Sequence, residues 1–562
     1  MRYGLLIIVA FFLSVGFYWI LENRAGQPQD IDEAGYLSYA ISKYYALKYG
    51  GIKAWLSSVY SPSIQAPLVT AITSILFYFT GINDFIHFLV PLFCAGATII
   101  VTYLIAVRLA NQQAGFIAAL LISSCPGIVS YSRSYHFAIP ATLIYTCAVY
   151  CLIRSNRFST ASWSIAFGIF VGLLPLARTM TIAFVPGFVV AALCYILAEN
   201  ENKFKRIFML AASLVLGIIL PATWYIPNGR LVWNYLTGYG YGSHVAEYAK
   251  KLSENYISEK ILLLSNSTGL LFPHFLYLTI GFITCILFIL KISQQKHFFI
   301  SLIKSNFLPV VIISIFSFTA LQSSKNVGSG FYCPLFPTVF ACITALCILK
   351  THSSVIRNFY LITALLIFIL TSVAPFPLQI KMAEPLYFNV PFIGSLRLTD
   401  GGGNFLSYLK ESKVALNSNG RLEPQVGNEW LEFDKHLAGK IDSTNIKNDK
   451  VVWGFRHHLC NVNSVNLQEL RLRKKAFASV MVDPSLTPDT VDGYRDWIIN
   501  KQLESSIIIT SNASGTFEPL VNPVHMREAL LQLGFLEYAT LDAPDRQIIS
   551  LWKKSPPENA LQ

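Results

Sequence analysis

Ile64–Gly81 reads IQAPLVTAITSILFYFTG, and the topology of the whole chain turns on whether this stretch crosses a membrane. It is apolar enough to be taken for a membrane helix. Upstream, Met1-Arg2 precedes an apolar run from Leu5 to Leu21, and a polar stretch follows from Glu22 to about Ser63. The first run is long and lacks a small-residue cleavage pattern after it, so it reads as an uncleaved first span and not a signal peptide. Downstream, apolar segments recur near 85–107, 114–130, 137–153, 162–177, 181–198, 207–226, 268–290, 307–321, 331–349 and 357–374. The longer ones suffice to cross about 30 Å of hydrocarbon as helices.

Basic residues in short loops mark the cytoplasmic side. With Arg2 inside and 64–81 not crossing, Arg108, Arg154, Arg157, Lys203, Lys205, Arg206, Lys291, Lys296, Lys304, Lys350 and Arg357 all fall inside. The breaks at Ser132–His136, Arg178–Thr179, 227–267 and 322–330 then fall outside. If 64–81 crossed, the basic clusters would move to the wrong side. The charge pattern therefore predicts a juxtamembrane or re-entrant segment at 64–81, about 11 spans and a cytoplasmic N-terminus.

Composition agrees. Of 562 residues 54% are apolar and only 13% are Asp, Glu, Lys or Arg; a soluble protein is near a quarter charged. Mean hydropathy is +0.50. Disorder, a soluble nucleic-acid binder and a secreted disulfide scaffold are excluded. The net charge of +12 is a matter of sidedness, not a polyanion-binding footprint. Nine of the ten cysteines lie in apolar segments, as small core hydrophobes; only Cys460 does not,. No zinc or disulfide spacing is visible.

From about 376 the composition becomes that of a soluble domain, giving a division into 1–375, helical and membrane-embedded, and 376–562, extracytoplasmic and α/β. Val451–Phe455, Ala476–Val482, Ser506–Thr510 and Ile548–Trp552 are strand-like. Thr487-Pro488-Asp489 predicts a helix start running through Leu503, and Met526–Leu533 a helix stopped by Gly534. Gly401-Gly402-Gly403 reads as a linker, and His457-His458 as a surface pair at a strand end.

Chemistry concentrates in the first outside loop, Asp30-Ile31-Asp32-Glu33-Ala34-Gly35-Tyr36. Ile31, Leu37, Ile41 and Tyr44 or Tyr45 make the following segment an amphipathic helix lying on the membrane. The acids have a structural reading: Asp30 as N-cap, Glu33 at the third helical position. They also have a chemical one: a carboxylate held at the lipid interface takes a proton from an acceptor hydroxyl while a lipid phosphate departs.

A first outside loop that opens with Asp-Glu and continues as a Tyr-bearing amphipathic helix resembles the GT-C membrane glycosyltransferases. Within these the chain is similar to the family 39-like group of protein O-mannosyltransferases and lipid A aminoarabinose transferases. Asp32-Glu33 falls on the family's acidic pair. Ser61–Gly81 looks like its K-P-P-L-x-x-W segment, with Gln65-Ala66 in place of Lys-Pro. The stretch LLPLARTMTIAFVPG, ending at Gly187, resembles L-T-K-G-x-x-x-x-x-P, with Arg178 at the basic position. Lys325 to Pro337 (KNVGSGFYCPLFP) resembles K-x-x-R-Y-x-x-P-x-x-P, with Tyr332, Pro334 and Pro337 matching and Phe331 at the Arg position. The family's second outside loop carries an acid; here Ala138 stands in that place and His136 lies two residues before it.

The resemblance covers roughly 1–375. It implies a polyprenyl- or dolichyl-phosphate-linked sugar as donor, a lipid, glycan or protein as acceptor, and transfer on the non-cytoplasmic side of a bacterial inner or plasma membrane. Asp32 is then the expected general base, with Glu33 orienting Asp32 or the acceptor. Arg178 and Lys325, with Arg133 behind them, are expected on the donor phosphate, with His136 and Tyr332 in the same site. Tyr239 and Tyr241, between glycines in the largest outside loop, are candidates for stacking on a sugar or lying among lipid headgroups. A single displacement would invert the anomeric carbon. No cofactor and no metal ligand set is expected, and divalent-metal dependence stays open. A lipid-linked-glycan transporter and a non-catalytic envelope scaffold are the competing classes. The first should place ionisable residues deep in its spans, and these spans are nearly free of charge away from their ends.

Overall fold

The computed structural model describes residues 1–199, 201–242, 270–292, 304–324, 329–350, 353–373, 387–391, 394–397, 422–444, 450–455, 457–482, 487–513 and 521–554. The helices of the first part are α1 (Arg2–Asn23), α2 (Ile31–Val59), α3 (Leu68–Thr80), α4 (Ile86–Leu109), α5 (Gln112–Ser123), α6 (Pro126–Ser132), α7 (Ala138–Arg154), α8 (Ala161–Ala177), α9 (Val185–Leu197), α10 (Lys203–Tyr241), α11 (Phe272–Ile292), α12 (Phe307–Ser323), α13 (Leu335–Lys350) and α14 (Ser354–Phe368). Among the described residues five helices are long and apolar enough to span a membrane, or six if α5 and α6, bent by 58°, count as one. Six shorter apolar helices accompany them. This is a multi-pass membrane protein.

The segment that decides the topology forms α3, 13 residues long. At 1.5 Å per residue it reaches about 20 Å, short of the hydrocarbon core.

Contacts divide the chain into two compact units, neither continuous in sequence. The first contains Met1–Glu22, Val59–Ile72 and Phe88–Gly403; the second contains Asn23–Ser58, Thr73–His87 and Asn404–Gln562.

In the first unit, α8 and α10 touch backbone to backbone. A Cβ added at Gly168 would stand 1.9 Å from Ser213 O, and one at Gly217 would stand 2.0 Å from Gly168 O. Only glycine permits this approach. α10 runs to 39 residues, past the end expected at 226. The segment through Tyr241 is therefore helix, not the Gly-rich loop that its sequence suggests. Pro221 and Pro227 lie inside it. Tertiary packing outweighs them: Trp224 and Val232 are buried against Leu176, with Tyr60, Leu68 and Leu236 around them. A short hairpin, β1 (Tyr387–Val390) with β2 (Gly394–Arg397), also belongs to this unit.

The second unit joins α2 to a mixed α/β domain made of α15 (Pro424–Thr444), α16 (Val462–Arg473), α17 (Val491–Asn500), α18 (Pro523–Gln532) and a five-stranded sheet. The strands are β3 (Val451–Trp453), β4 (Ser479–Met481), β5 (Ile507–Ser511), β6 (Phe535–Asp542) and β7 (Ile548–Lys554), in the order β4-β3-β5-β7-β6. β3 pairs parallel with β4 and β5; β7 pairs antiparallel with β5 and β6. Val452, Ile508, Tyr494, Ile498, Met526 and Trp552 form its core.

Two local expectations need correction. Thr490, not Thr487, caps α17, accepting from Gly493 N at 3.0 Å. The helix stops at Asn500 because Gln502 turns left-handed (φ 54) and Leu503 N returns to Ile498 O. Gly534, with φ 77, follows α18 in the stop role expected of it,. His457 and His458 are not a surface pair: they are 2% and 4% exposed. His457 stacks on Trp430 at 4.5 Å between centroids. Its Nδ1 accepts the backbone N–H groups of Leu459 and Cys460. A tight turn that folds its own histidine inward buries the pair. Gly401-Gly402-Gly403 and Ser243-His244 lie outside the described residues.

Candidate active site

In the second unit the loop after α1 is built around Arg24. Its side chain and that of Glu33 are both fully buried. The guanidinium grips the carboxylate through both terminal nitrogens, with Nη1 at 3.3 Å from Oε1, and Nη2 also donates to Gln29 Oε1 at 3.3 Å. Asp30 caps α2, its Oδ1 accepting Glu33 N at 2.8 Å. The capping contact expected for Asp30 is present, while the Glu33 carboxylate turns to Arg24. Asp32, one residue before Glu33, is exposed.

Along α2, Ala34, Leu37, Ala40, Ile41 and Tyr44 are buried, which is the predicted apolar face. Lys43 is buried with them, and desolvation lowers its ammonium to about 8. Its Nζ lies 5.3 Å from the Tyr39 ring centroid. Beyond it, Lys48 donates to Tyr44 Oη at 2.8 Å, and Tyr45 stacks on Tyr49 at 5.9 Å.

The other candidates belong to the first unit. Arg178 sits between the end of α8 and a 3-10 turn at Thr179–Phe184. It donates from Nη1 to Gly330 O at 2.8 Å and covers the Phe331 ring at 4.6 Å. The residue at the family's Arg position is thus a platform for another arginine. Gly330 in turn presses on Tyr131, where an added Cβ would stand 2.7 Å from the ring. Tyr131 meets His136 edge-on at 5.7 Å. Thr179 Oγ1 donates to Ile64 O at 2.8 Å, and Ser63 N to Asn228 Oδ1 at 2.9 Å. The segment before α3 is thereby tied to the start of the 3-10 turn and to α10. Arg178, His136 and the 330–332 turn are brought together by this chain of contacts.

Arg133 is 7% exposed and lies over the Trp19 ring at 5.0 Å. Tyr332 is buried, its Oη accepting from Gln322 Nε2 at 2.8 Å. Tyr239 and Tyr241 are on the last turns of α10. Tyr239 packs on Tyr235 at 5.0 Å, and the exposed Tyr241 shares a hydrogen bond with Ser323 Oγ at 2.8 Å. Ala138, at the position of the family's second acid, begins α7 and is buried. Lys325 lies outside the described residues. Arg24 and Asn228 escaped the sequence reading. A cation at the end of the first span, close to an acid cluster, is the signal that would have found Arg24.

With this geometry in view, the similarities to known proteins are informative. No curated protein matches the chain by sequence. Its fold is that of ArnT from Cupriavidus metallidurans. The structure of that protein bound to undecaprenyl phosphate aligns over 97% of each chain with a TM-score of 0.54 and 11% identity. The apo form aligns over 97% of each chain with a TM-score of 0.52 and 10% identity. An oligosaccharyltransferase from Archaeoglobus fulgidus, in complex with zinc and sulfate, aligns over 89% of this chain and 67% of its own, with a TM-score of 0.49 and 14% identity. The chain thus shares the fold of the two ArnT structures. Residues 64–225 match the model of the dolichyl-phosphate-mannose-protein mannosyltransferase family.

Proposed function

We propose that this protein moves a sugar from a polyprenyl-phosphate-linked donor to a lipid, glycan or protein acceptor on the non-cytoplasmic side. The observation that carries the assignment of roles is the first turn of α2. Asp30 is spent on capping and Glu33 on Arg24, whereas Asp32 is exposed. Asp32 takes the proton of the acceptor hydroxyl. The acceptor oxygen bonds to the anomeric carbon as the bond from that carbon to the phosphate oxygen breaks, and the electron pair leaves on the lipid phosphate. One displacement inverts the anomeric centre. Arg178 and Lys325 meet the growing phosphate charge, the arginine through N–H groups beyond the one given to Gly330. Glu33 and Arg24 hold the turn that presents Asp32. Undecaprenyl phosphate in the ArnT structure supports a carrier of this chemistry.

The fold supports the topology as well. Taking α5–α6 as one span, and every shorter apolar helix except α3 as a span, gives the eleven expected. α2 and the α/β domain belong to one compact unit, which supports placing both on the same, non-cytoplasmic side.

The test uses purified full-length protein in lipid nanodiscs, undecaprenyl- or dolichyl-phosphate sugars as donors, and envelope lipids, glycans and proteins screened by mass shift. Asp32→Asn should lose about 10²–10⁴-fold in turnover with unchanged expression and thermal stability. Near-normal turnover of that variant removes Asp32 from the mechanism.

A further inference from the structure

The turn that carries Asp32 is held from outside the first loop. Asn463, in the first turn of α16, donates from Nδ2 to Ile31 O at 2.7 Å. Ile31 is the residue before Asp32 and the first of α2. Asn463 is itself fixed: its backbone N donates to Asn461 Oδ1, and Asn461 forms a reciprocal capping box with Ser464. Asn461 Nδ2 then ties back to His457 O and His458 O. The inward-folded His457 turn is thus the mount for the start of α16.

Gly35 supplies an independent sign. A glycine in the first turns of a helix costs about 1 kcal/mol against alanine, so it needs a reason. Here a Cβ at Gly35 would stand 2.9 Å from Asn463 Nδ2 and 3.2 Å from its Cγ. The missing side chain is what lets Asn463 reach the backbone. Two more contacts hold the C-terminal end of α16, one to the turn between α3 and α4 and one, from the residue just past the helix, to α2. Arg471 Nη2 meets Asp84 Oδ1 at 3.0 Å, and Lys474 Nζ lies 4.6 Å from the Tyr49 ring centroid.

We propose that Asn463 is a positioning residue for the transfer reaction: through Ile31 and Gly35 it sets the orientation of the helix turn that carries Asp32, so the C-terminal domain is part of the catalytic apparatus. The inference rests on the reading of Asp32 as the general base. Asn463 touches neither donor nor acceptor in this scheme, so its loss acts on the chemical step and not on donor binding.

Three variants test it in full-length protein: Asn463→Ala, Gly35→Ala and their double. Asn463→Ala should lower kcat three- to tenfold, the worth of about one hydrogen bond, with donor KM unchanged. Gly35→Ala should lower kcat as well, although alanine is the better helix former. The double variant should be no slower than Asn463→Ala, because the obstructed side chain is gone. Hydrogen exchange of amides 31–36 should quicken in Asn463→Ala. Unchanged exchange with unchanged kcat overturns the inference, as does a loss expressed only in donor KM. If wild-type protein transfers no sugar from any lipid-phosphate donor, the functional reading fails, and the exchange measurement still decides whether Asn463 holds the turn.

Discussion

Replacing Arg24 by Met should unsettle the first turn of α2 far more than replacing Arg24 and Glu33 together. Both side chains are fully buried, and Glu33 meets Arg24 through both carboxylate oxygens. Taking away one member of a buried pair leaves the other charge buried without its counter-ion, at a cost of about 3–5 kcal/mol. Taking away both, as Arg24→Met with Glu33→Leu, removes the desolvation penalty with the attraction and is near neutral. A double-mutant cycle should therefore return a coupling of about 3 kcal/mol or more, well beyond the ~0.5 kcal/mol scatter of independent sites. The pH dependence has a definite sign. In the single Arg24→Met variant the buried Glu33, without the guanidinium, raises its folded pKa above the unfolded value of about 4.3, so the folded state binds the extra proton. The deficit then shrinks as pH falls and grows as pH rises. The assay is native-state hydrogen exchange of amides 31–41 in lipid nanodiscs, which reads local opening without requiring global two-state unfolding. Additive single losses, or a deficit that does not respond to pH, would refute the reasoning.

Three further outcomes are expected. Arg178→Ala should raise donor KM about ten- to hundredfold, from the loss of a charge-assisted contact of about 1.5–3 kcal/mol, and Arg178→Lys should lose less; equal, wild-type donor affinity in both would leave Arg178 as the tie to Gly330 alone,. Transfer should survive exhaustive chelation, because Glu33 is occupied by a guanidinium and Ala138 replaces the family's second acid; complete loss restored by magnesium or manganese, and not by zinc, would show that another acid supplies the ligand. In the α/β domain, burial raises Asp434 from 3.8 to about 8 and, with His457 nearby, lowers His458 from 6.5 to about 4. Between pH 4 and 6.5 folded Asp434 holds a proton that the unfolded chain releases, while unfolded His458 binds one that the folded chain refuses. The two slopes, each about 1.4 kcal/mol per pH unit, oppose. From 6.5 to 8 only Asp434 acts and stability falls. Asp434→Asn should remove that fall and expose a loss on acidification below 6.5, read as exchange of β3 and β5 amides; a variant with the wild-type pH profile would sink the assignment.

What the sequence made legible was whatever composition and period encode. Alternating apolar and basic stretches gave the membrane segments, and the amphipathic period of 31–45 gave α2 with its buried face. Asp30 and Gly534 occupy the cap and stop positions their residue types predict. Long-range partnerships were hidden. The end of α10 was misread because the packing of Trp224, Val232 and Leu236 against Leu176 outweighs the local signal of two prolines and four glycines. His457 was misread because its partners Trp430 and the 459–460 amides are set by a turn that no period announces. A composition change near 375 could not reveal that 23–58 and 73–87 pack with 404–562 in one unit. Gly35 was visible throughout, and its meaning appears only once Asn463 is known to lie above it.

The spacing of the acids on α2 argues for a division of labour. Successive residues on a helix point about 100° apart, so Asp32 and Glu33 cannot share one environment when one face is packed. Glu33 faces inward, where only an ionised acid paired with a cation is tolerable. A proton placed on it would break the Arg24 pair and leave the guanidinium uncompensated, which makes it a poor proton acceptor. Asp30 faces the helix N-terminus, where its Oδ1 accepts Glu33 N,. Each of these two acids is committed to a contact that holds the turn. Asp32 is exposed, and it supplies neither the cap to Glu33 N nor the ion pair with Arg24. A general base must cycle between two charge states at every turnover. Of the three carboxylates in Asp30-Ile31-Asp32-Glu33, Asp32 is the one whose cycling leaves the cap and the buried ion pair intact.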